Sequence, residues 1–164
     1  SSSSSNTINV ASGHKINGAA GSIIVPGSVI QIVHSSINTQ ETTSSSTFVD
    51  TALHVDITPT SSSSKILVRA SVGLYNNTNA SATAATIIRG STNLFHNTWG
   101  FGYIYAASGG GHVNTIPIET LDSPSTTSQI TYRVQISRTA VDVGVAYISV
   151  NSSISTITAM EIAQ

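Results

Sequence analysis

Residues 65–72 read Lys-Ile-Leu-Val-Arg-Ala-Ser-Val, and residues 130–136 read Ile-Thr-Tyr-Arg-Val-Gln-Ile. In both stretches apolar side chains recur at every second position, the period that predicts a β-strand with one buried face. The same alternation recurs along most of the chain, and no stretch carries a convincing helical period. The sequence therefore predicts an all-β protein.

The composition narrows the class of protein further. Hydrophobic residues make up 39% of the 164 positions, which argues against general disorder, while charged residues make up only 8%. A net charge of −1 and six scattered Lys and Arg residues provide no field or stripe for binding nucleic acid. No apolar run approaches the roughly 18 residues of a membrane span. Because cysteine is absent, no disulfide can staple the domain, and oligomerisation is the expected further source of stability.

Turn signals divide the region from residue 28 onward into short strands of regular spacing. Asn-rich residues 76–79, the glycines at 109–111 and Ser-Pro at 123–124 all mark turns. This spacing predicts an antiparallel, jelly-roll-like β-sandwich, which we place at residues 28–164. The predicted strands are 28–34, 47–57, 65–75, 82–89, 92–97, 101–107, 112–121, 129–137, 141–150 and 154–163.

Residues 1–27 have a different character. Five serines precede three very short strand-like pieces separated by small residues, and Pro26-Gly27 ends the segment. Pieces this short cannot bury a core alone. We therefore predict an extended, fibre-like segment that becomes stable when copies wrap around one another or when it lies along a neighbour. The side chains expected between copies are Ile8, Val10, Ile16, Ile23 and Val25.

The last predicted strand is apolar on both faces. Ile157, Ala159, Glu161 and Ala163 lie on one face, and Thr158, Met160 and Ile162 lie on the other. One interpretation is a central strand packed between two sheets. The other is that Met160 and Ile162 form part of an oligomer interface.

An aromatic cluster at residues 95–105 is the strongest candidate for a binding site. It contains the single tryptophan, Trp99, on the same strand parity as Phe101, Tyr103 and Tyr105. Aromatic faces stack on sugar rings while nearby amides bond the hydroxyl groups, so these residues predict a saccharide platform. The alternative is that the rings fill the core or an oligomer interface, where aromatic residues bury large areas. The candidate ligand-binding residues, including the turn after residue 75, are Asn97, Trp99, Phe101, Tyr103, Asn76 and Asn77.

Enzymatic and metal sites find little support in the sequence. Asp50 and Asp56 share side-chain parity but lie about 20 Å apart along an extended strand, too far for a carboxylate pair acting on one glycosidic bond. There is no nucleophile-elbow pattern and no phosphate-binding loop. No histidine pair has the spacing of metal ligands. The remaining possibility is a metal held by three copies of one histidine on a threefold axis, for which His14 is best placed. We predict no enzyme activity, no metal and no cofactor.

Several phrases along the chain resemble, in order, a distal domain of tail-fibre and other virion structural proteins of phages, many from marine bacteria. The stretch Leu121–Ser128 and the ending at residues 155–163 are the most specific parts. Residues 8–16 resemble the link between shaft and head in such fibres, whereas residues 93–114 follow no pattern that we can place. The other phrases are residues 27–33, 48–59, 64–68, 87–92 and 132–135.

The resemblance implies a homotrimeric, non-enzymatic β head that helps a virion engage its host. Its expected partners are two further copies of the chain, other virion proteins reached through the N-terminal segment, and a bacterial surface glycan. Nucleic acid and membrane insertion are not expected. The alternative function is a module without a receptor, such as a capsid decoration or fibre-connecting protein, that holds other virion proteins together.

Overall fold

Two antiparallel sheets pack face to face in the computed structural model, which describes residues 12, 24–78, 80–95, 98–107, 111–139 and 144–164. Within these ranges the chain forms eleven strands and one three-residue 3-10 turn at Val150–Ser152. The strands are β1 Val29–Ile37, β2 Glu41–Thr43, β3 Val49–Ile57, β4 Lys65–Asn76, β5 Ser81–Arg89, β6 Thr92–Asn93, β7 Gly102–Ala106, β8 His112–Asp122, β9 Ile130–Thr139, β10 Ala146–Ile148 and β11 Ser155–Ile162.

The strand order is that of a jelly roll. The first sheet runs β1-β11-β4-β8, and β10 and β2 extend it beside the last residues of β4. The second sheet runs β3-β9-β5-β7, with β6 paired to the other half of β5. Four long strands in each sheet, reached by repeated crossings between sheets, match the two-sheet jelly-roll arrangement. The predicted all-β, jelly-roll-like sandwich is confirmed.

The alternation seen in the sequence sorts side chains between core and surface. In β4, Ile66, Val68, Ala70, Val72 and Leu74 point inward and are buried, while intervening residues face out. Inward-facing residues of the second sheet complete the core, because stacked sheets bury the alternate positions of both. Those residues are Leu53, Val55, Ile57, Ala85, Ile87, Ile104, Tyr132, Val134 and Ile136.

The described chain enters and leaves the sandwich at the same end, which we call the entry end. The Gly27 amide donates to the Ala163 carbonyl at 2.8 Å, and the Ala163 amide donates to the Ser28 carbonyl at 2.9 Å. The opposite end, which we call the far end, carries the turn between β4 and β5. Of the predicted segment 1–27, only Ser12 and residues 24–27 are described, so its extended form and the boundary at residue 27 stay predictions.

A partly buried polar cluster closes the entry end between the two sheets. Arg89 Nη1 donates to both carboxylate oxygens of Asp122 at 2.8 Å, and the Tyr132 hydroxyl donates to the same carboxylate at 2.6 Å. Burial, reinforced by the Asp122 carboxylate, raises the pKa of Tyr132, so its hydroxyl keeps its proton and remains a donor. The cluster therefore ties β5, β8 and β9 together.

Candidate ligand-binding surface

Strand β7 at the edge of the second sheet presents two tyrosines to solvent. Tyr103 and Tyr105 are 49% and 50% exposed, whereas Ile104 between them points into the core. The alternation of β7 therefore places these rings on the outer face of the sandwich. In the single chain the aromatic side chains of this strand do not fill the core.

The segment that leads into β7 adds two more exposed rings. Trp99 is 40% exposed and its ring centroid lies 4.8 Å from that of Tyr103. Phe101 is 42% exposed and meets Phe95 edge to face at 4.7 Å. Because Phe95 packs against the core, this contact anchors the segment to the sandwich. We call Trp99, Phe101, Tyr103 and Tyr105 the aromatic patch.

Small residues lie beside the two tyrosines on the neighbouring strand. Ala84 pairs with Tyr103 and Ala82 pairs with Tyr105 across the β5–β7 ladder. Both alanines face outward, since the alternate residues Ala85 and Ile87 belong to the core, yet both are inaccessible to solvent. Side chains on the flanking strands therefore cover them, and each has a tyrosine as its cross-strand neighbour. Small residues at these positions leave room for the rings to lie close to the sheet.

Gly100 fixes how closely the patch approaches the sheet. Its φ of +59° lies in the left-handed region that favours glycine. A side chain there would overlap the Ala85 carbonyl oxygen and would come within 2.8 Å of the Phe48 ring. The Phe101 amide donates to that same carbonyl at 3.0 Å. Gly100 thus lets the backbone reach β5 just before the exposed strand begins.

Hydrogen-bonding side chains occupy the opposite edge of the same outer face. Asp50 on β3 accepts from Gln135 Nε2 at 2.7 Å and from Arg133 Nη1 at 2.6 Å. The Gln135 bond, with help from Arg133, outweighs partial burial and holds the pKa of Asp50 below its usual range. Gln135 pairs with Thr86 of β5, and Ser137 pairs with Ala84. On this outer face, β3 and β9 therefore carry hydrogen-bonding side chains, and β7 carries aromatic rings.

The two asparagines predicted as ligand contacts have different positions. Asn76 is fully buried, where its side chain donates to the Ser81 carbonyl and accepts from the Thr78 amide. It stabilises the β4–β5 turn and is inaccessible to a ligand, so Asn76 is not a ligand contact. Asn77 is exposed at the far end, but it donates to the Tyr147 hydroxyl and accepts from the Val145 amide. Asn97 lies outside the described residues.

The predicted interface residues are described only in part. Ile8, Val10, Ile16 and Ile23 lie outside the described residues. Val25 is 58% exposed at the entry end. Met160 and Ile162 face outward from β11 and are partly exposed, while the alternate residues Ile157 and Ala159 are buried. β11 is central in its sheet, between β1 and β4, but only one of its faces is buried, so the strand is not packed between two sheets. Its outer face, with Met160 and Ile162, is partly exposed, and the oligomer interface stays a prediction.

The carboxylates lie apart from one another in the described part of the chain. Asp50 accepts hydrogen bonds from Arg133 and Gln135. Asp56 accepts from Thr131, its direct partner on β9, whereas the β9 partner of Asp50 is Gln135. No group of three His, Asp or Glu residues with metal-binding proximity occurs in the described ranges. The same ranges contain no helix long and apolar enough to cross a bilayer.

Comparison with known proteins adds only distant structural similarity. The chain matches no protein-family model, and no curated protein is similar to it in sequence. Among solved structures, it is similar to the VP2 subviral particle of infectious bursal disease virus, with 11% identity, a TM-score of 0.46 and coverage of 92% of this chain. The T=1 particle derived from the same virus gives 11% identity and a TM-score of 0.45. The chain spans 43% and 41% of those two chains, less than half of their length.

Proposed function

We propose that this chain is a non-enzymatic virion structural protein: the head of a homotrimeric tail fibre that binds a bacterial surface glycan during host adsorption. The observation that carries the proposal is the aromatic patch, four rings that are each 40–50% exposed, of which Trp99 and Tyr103 have ring centroids 4.8 Å apart. Exposed aromatic rings in a contiguous patch are uncommon on a protein without a ligand or partner.

The chemistry of this face suits a saccharide. A sugar ring has an apolar face that stacks on an aromatic side chain, and its hydroxyl groups need donors and acceptors at the rim. Trp99 and Tyr103 offer the stacking faces, and Gln135 with Asp50 offers an amide and a carboxylate on the same sheet face. A platform of this kind is shallow, so one copy binds weakly.

Trimeric presentation compensates for weak binding by one copy. After the first copy engages a polysaccharide, the linked copies bind intramolecularly, and avidity exceeds the single-site affinity without any new contact. Residues 24–27 lie at the entry end, and residues 1–27 are proposed to connect the head to other virion proteins from there, while β7 runs toward the far end. This arrangement leaves the aromatic patch open to a cell surface.

The proposal predicts that Trp99→Ala and Tyr103→Ala each weaken binding to host polysaccharide at least tenfold, or about 1.4 kcal/mol. The rings are half exposed, so each change should leave the melting temperature within a few degrees of wild type. Binding is measured by titrating purified protein with surface polysaccharide or with whole cells, and stability by thermal unfolding. Val113→Ala is the matched control, because Val113 is 59% exposed on the other sheet.

Three outcomes would contradict this function. If the patch variants bind as wild type does, the patch is not the receptor site. If neither wild type nor the patch variants bind glycan, and the variants lose association with other virion proteins, the chain is a connecting or decoration module. Release of oligosaccharides from host polysaccharide would instead show a depolymerase.

A further inference from the structure

A row of apolar side chains crosses the outer face of the first sheet from edge to edge. Ile32 on β1 pairs with Met160 on β11, Met160 pairs with Leu67 on β4, and Leu67 pairs with Leu121 on β8. Directly paired residues of antiparallel strands point to the same face. We call these four residues the apolar row.

The apolar row is accessible in the single chain. Ile32 is 60% exposed and Leu121 is 53% exposed, and Met160 and Leu67 between them are partly exposed. Toward the entry end, Val29 pairs with Ile162 and is 48% exposed, which extends the same surface. Apolar side chains aligned across four strands form one contiguous patch, the kind of surface that marks an interaction site.

We propose that this face is where copies of the chain pack against one another, with the apolar row at the centre of the contact. The inference deepens the proposed function, on which its trimeric stoichiometry rests, by naming the surface that holds the copies together. It adds Ile32, Leu67, Leu121 and Val29 to the Met160 and Ile162 that the sequence indicated.

The charges beside the row fit a second copy of the same chain. The next row toward the far end holds Arg69, whose Nε lies 2.7 Å from the Glu119 carboxylate, and both side chains are more than half exposed. His34 is hydrogen-bonded to Thr158 at 2.9 Å in the same row. A face that carries both signs of charge can meet its own copy without net repulsion, whereas a polyanion would leave Glu119 opposed.

The size of the face approaches what an interface needs. Four strands spaced about 4.8 Å apart and about eight residues long, counted from the entry end, cover roughly 500 Å² before side-chain relief is counted. Specific interfaces begin at about 600 Å² from each partner, so the contact uses this part of the face together with its side-chain relief. A proline in β8 favours face-to-face packing over strand addition. Pro117 pairs with Ser71 within an unbroken ladder, so its nitrogen faces the free edge and cannot donate to an added strand.

The test compares Leu121→Asp with Val113→Asp by light scattering and sedimentation at micromolar concentration. Both residues are exposed and apolar on the same outer face of β8, but Val113 pairs with Tyr75 near the far end, beyond the part of the face assigned to the contact. We expect wild type and Val113→Asp to have three times the 16.9 kDa mass of one chain, and Leu121→Asp to have the monomer mass. Circular dichroism and the melting temperature of the Leu121→Asp monomer establish that it is folded, and Met160→Asp should repeat its dissociation.

The possible results separate this inference from the proposed function. A wild-type trimer that Leu121→Asp and Met160→Asp leave intact, or that Val113→Asp dissociates equally, overturns the assignment of the face while the trimeric head stands. A wild-type dimer dissociated by the row variants supports the face and contradicts the trimer. A folded wild-type monomer at all concentrations overturns both the face and the trimer, and leaves glycan binding to its own test.

Discussion

Replacing Glu161 by alanine is expected to lower the free energy of unfolding by about 3 kcal/mol, because three hydrogen bonds to a fully buried carboxylate are lost. Glu161 is fully buried, and its carboxylate accepts from Gln31 Nε2 at 2.7 Å, from the Thr60 amide at 2.7 Å and from the Thr60 hydroxyl at 2.8 Å. These bonds tie β1 and the β3–β4 loop to β11 at the entry end. Urea unfolding measures the loss.

Glu119→Ala is the matched control for this change. Glu119 is also a strand carboxylate, but it is about half exposed and pairs only with the exposed Arg69. Surface pairs of this kind contribute about 0–1 kcal/mol, so the control should unfold within that margin of wild type. Equal losses in the two variants would show that Glu161 does not organise the entry end.

The same carboxylate makes stability depend on acid. Burial alone would raise the pKa of Glu161, but the hydrogen bonds from Gln31 and Thr60 outweigh it and hold the pKa below the ordinary value of 4.5. A depressed folded-state pKa gives stability that is present above the unfolded pKa and is lost as pH falls through the folded pKa. Wild type should therefore lose stability below about pH 4.5, and Glu161→Gln should lose less over the same range. An identical acid dependence in both proteins would contradict this assignment.

Gly100→Ala is expected to destabilise the fold by about 3 kcal/mol and to weaken glycan binding at least tenfold. The new methyl group meets two obstacles: the positive φ of Gly100, and the Ala85 carbonyl and Phe48 ring that occupy its space. Relief requires the backbone to move away from β5, which shifts Trp99 relative to Tyr103 and disrupts the stacking surface. Thermal unfolding and polysaccharide titration follow the two effects.

Gly90 provides a control with the same backbone conformation. Its φ is +57°, but nothing lies within 4 Å of the position its side chain would take. Gly90→Ala should therefore cost only the conformational part, about 1 kcal/mol, and should bind glycan as wild type does. If Gly90→Ala and Gly100→Ala are equally destabilised, the contact with Ala85 and Phe48 does not hold the patch.

Alternation and turn signals in the sequence were sufficient to predict most of the fold. The predicted strands 65–75, 82–89 and 112–121 nearly coincide with β4, β5 and β8. Apolar residues stand at every second position in β4, whereas β5 and β8 are less regular and follow the turn signals at residues 76–79 and 109–111. The predicted strand 92–97 was too long at residues 94–95, and residues 96–97 lie outside the described part of the chain. It ends at Asn93, since the side chain of Asn93 accepts from Thr86 and from the Phe95 amide and bends the chain toward the core. The short β2 was missed because residues 41–43 carry no apolar side chain to signal it.

The binding surface was harder to predict because its character depends on neighbouring strands. Strand parity predicted one face for Phe101, Tyr103 and Tyr105; the two tyrosines lie on β7 and are exposed, whereas Phe101 precedes the strand. Whether the tyrosine rings were buried depended on the register that places Ala82 and Ala84 beside them. The four residues of the apolar row come from four strands, so only the pairing reveals their alignment. The sequence put Glu161 on the same strand face as Ile157 and Ala159, and its burial follows from the Thr60 loop that folds over it.

The two sheets have different proposed roles: the second sheet binds the receptor, and the first sheet holds the copies of the head together. Because the chain has no cysteine, Tyr105→Cys places a single thiol in the aromatic patch, and Val113→Cys places one on the other sheet. The measurement is the rate of maleimide labelling of each assembled protein with and without saturating host polysaccharide. We predict rapid labelling at position 105 that polysaccharide slows at least tenfold, and no change at position 113. Labelling at position 105 that polysaccharide leaves unchanged, or that assembly alone already blocks, would contradict the account.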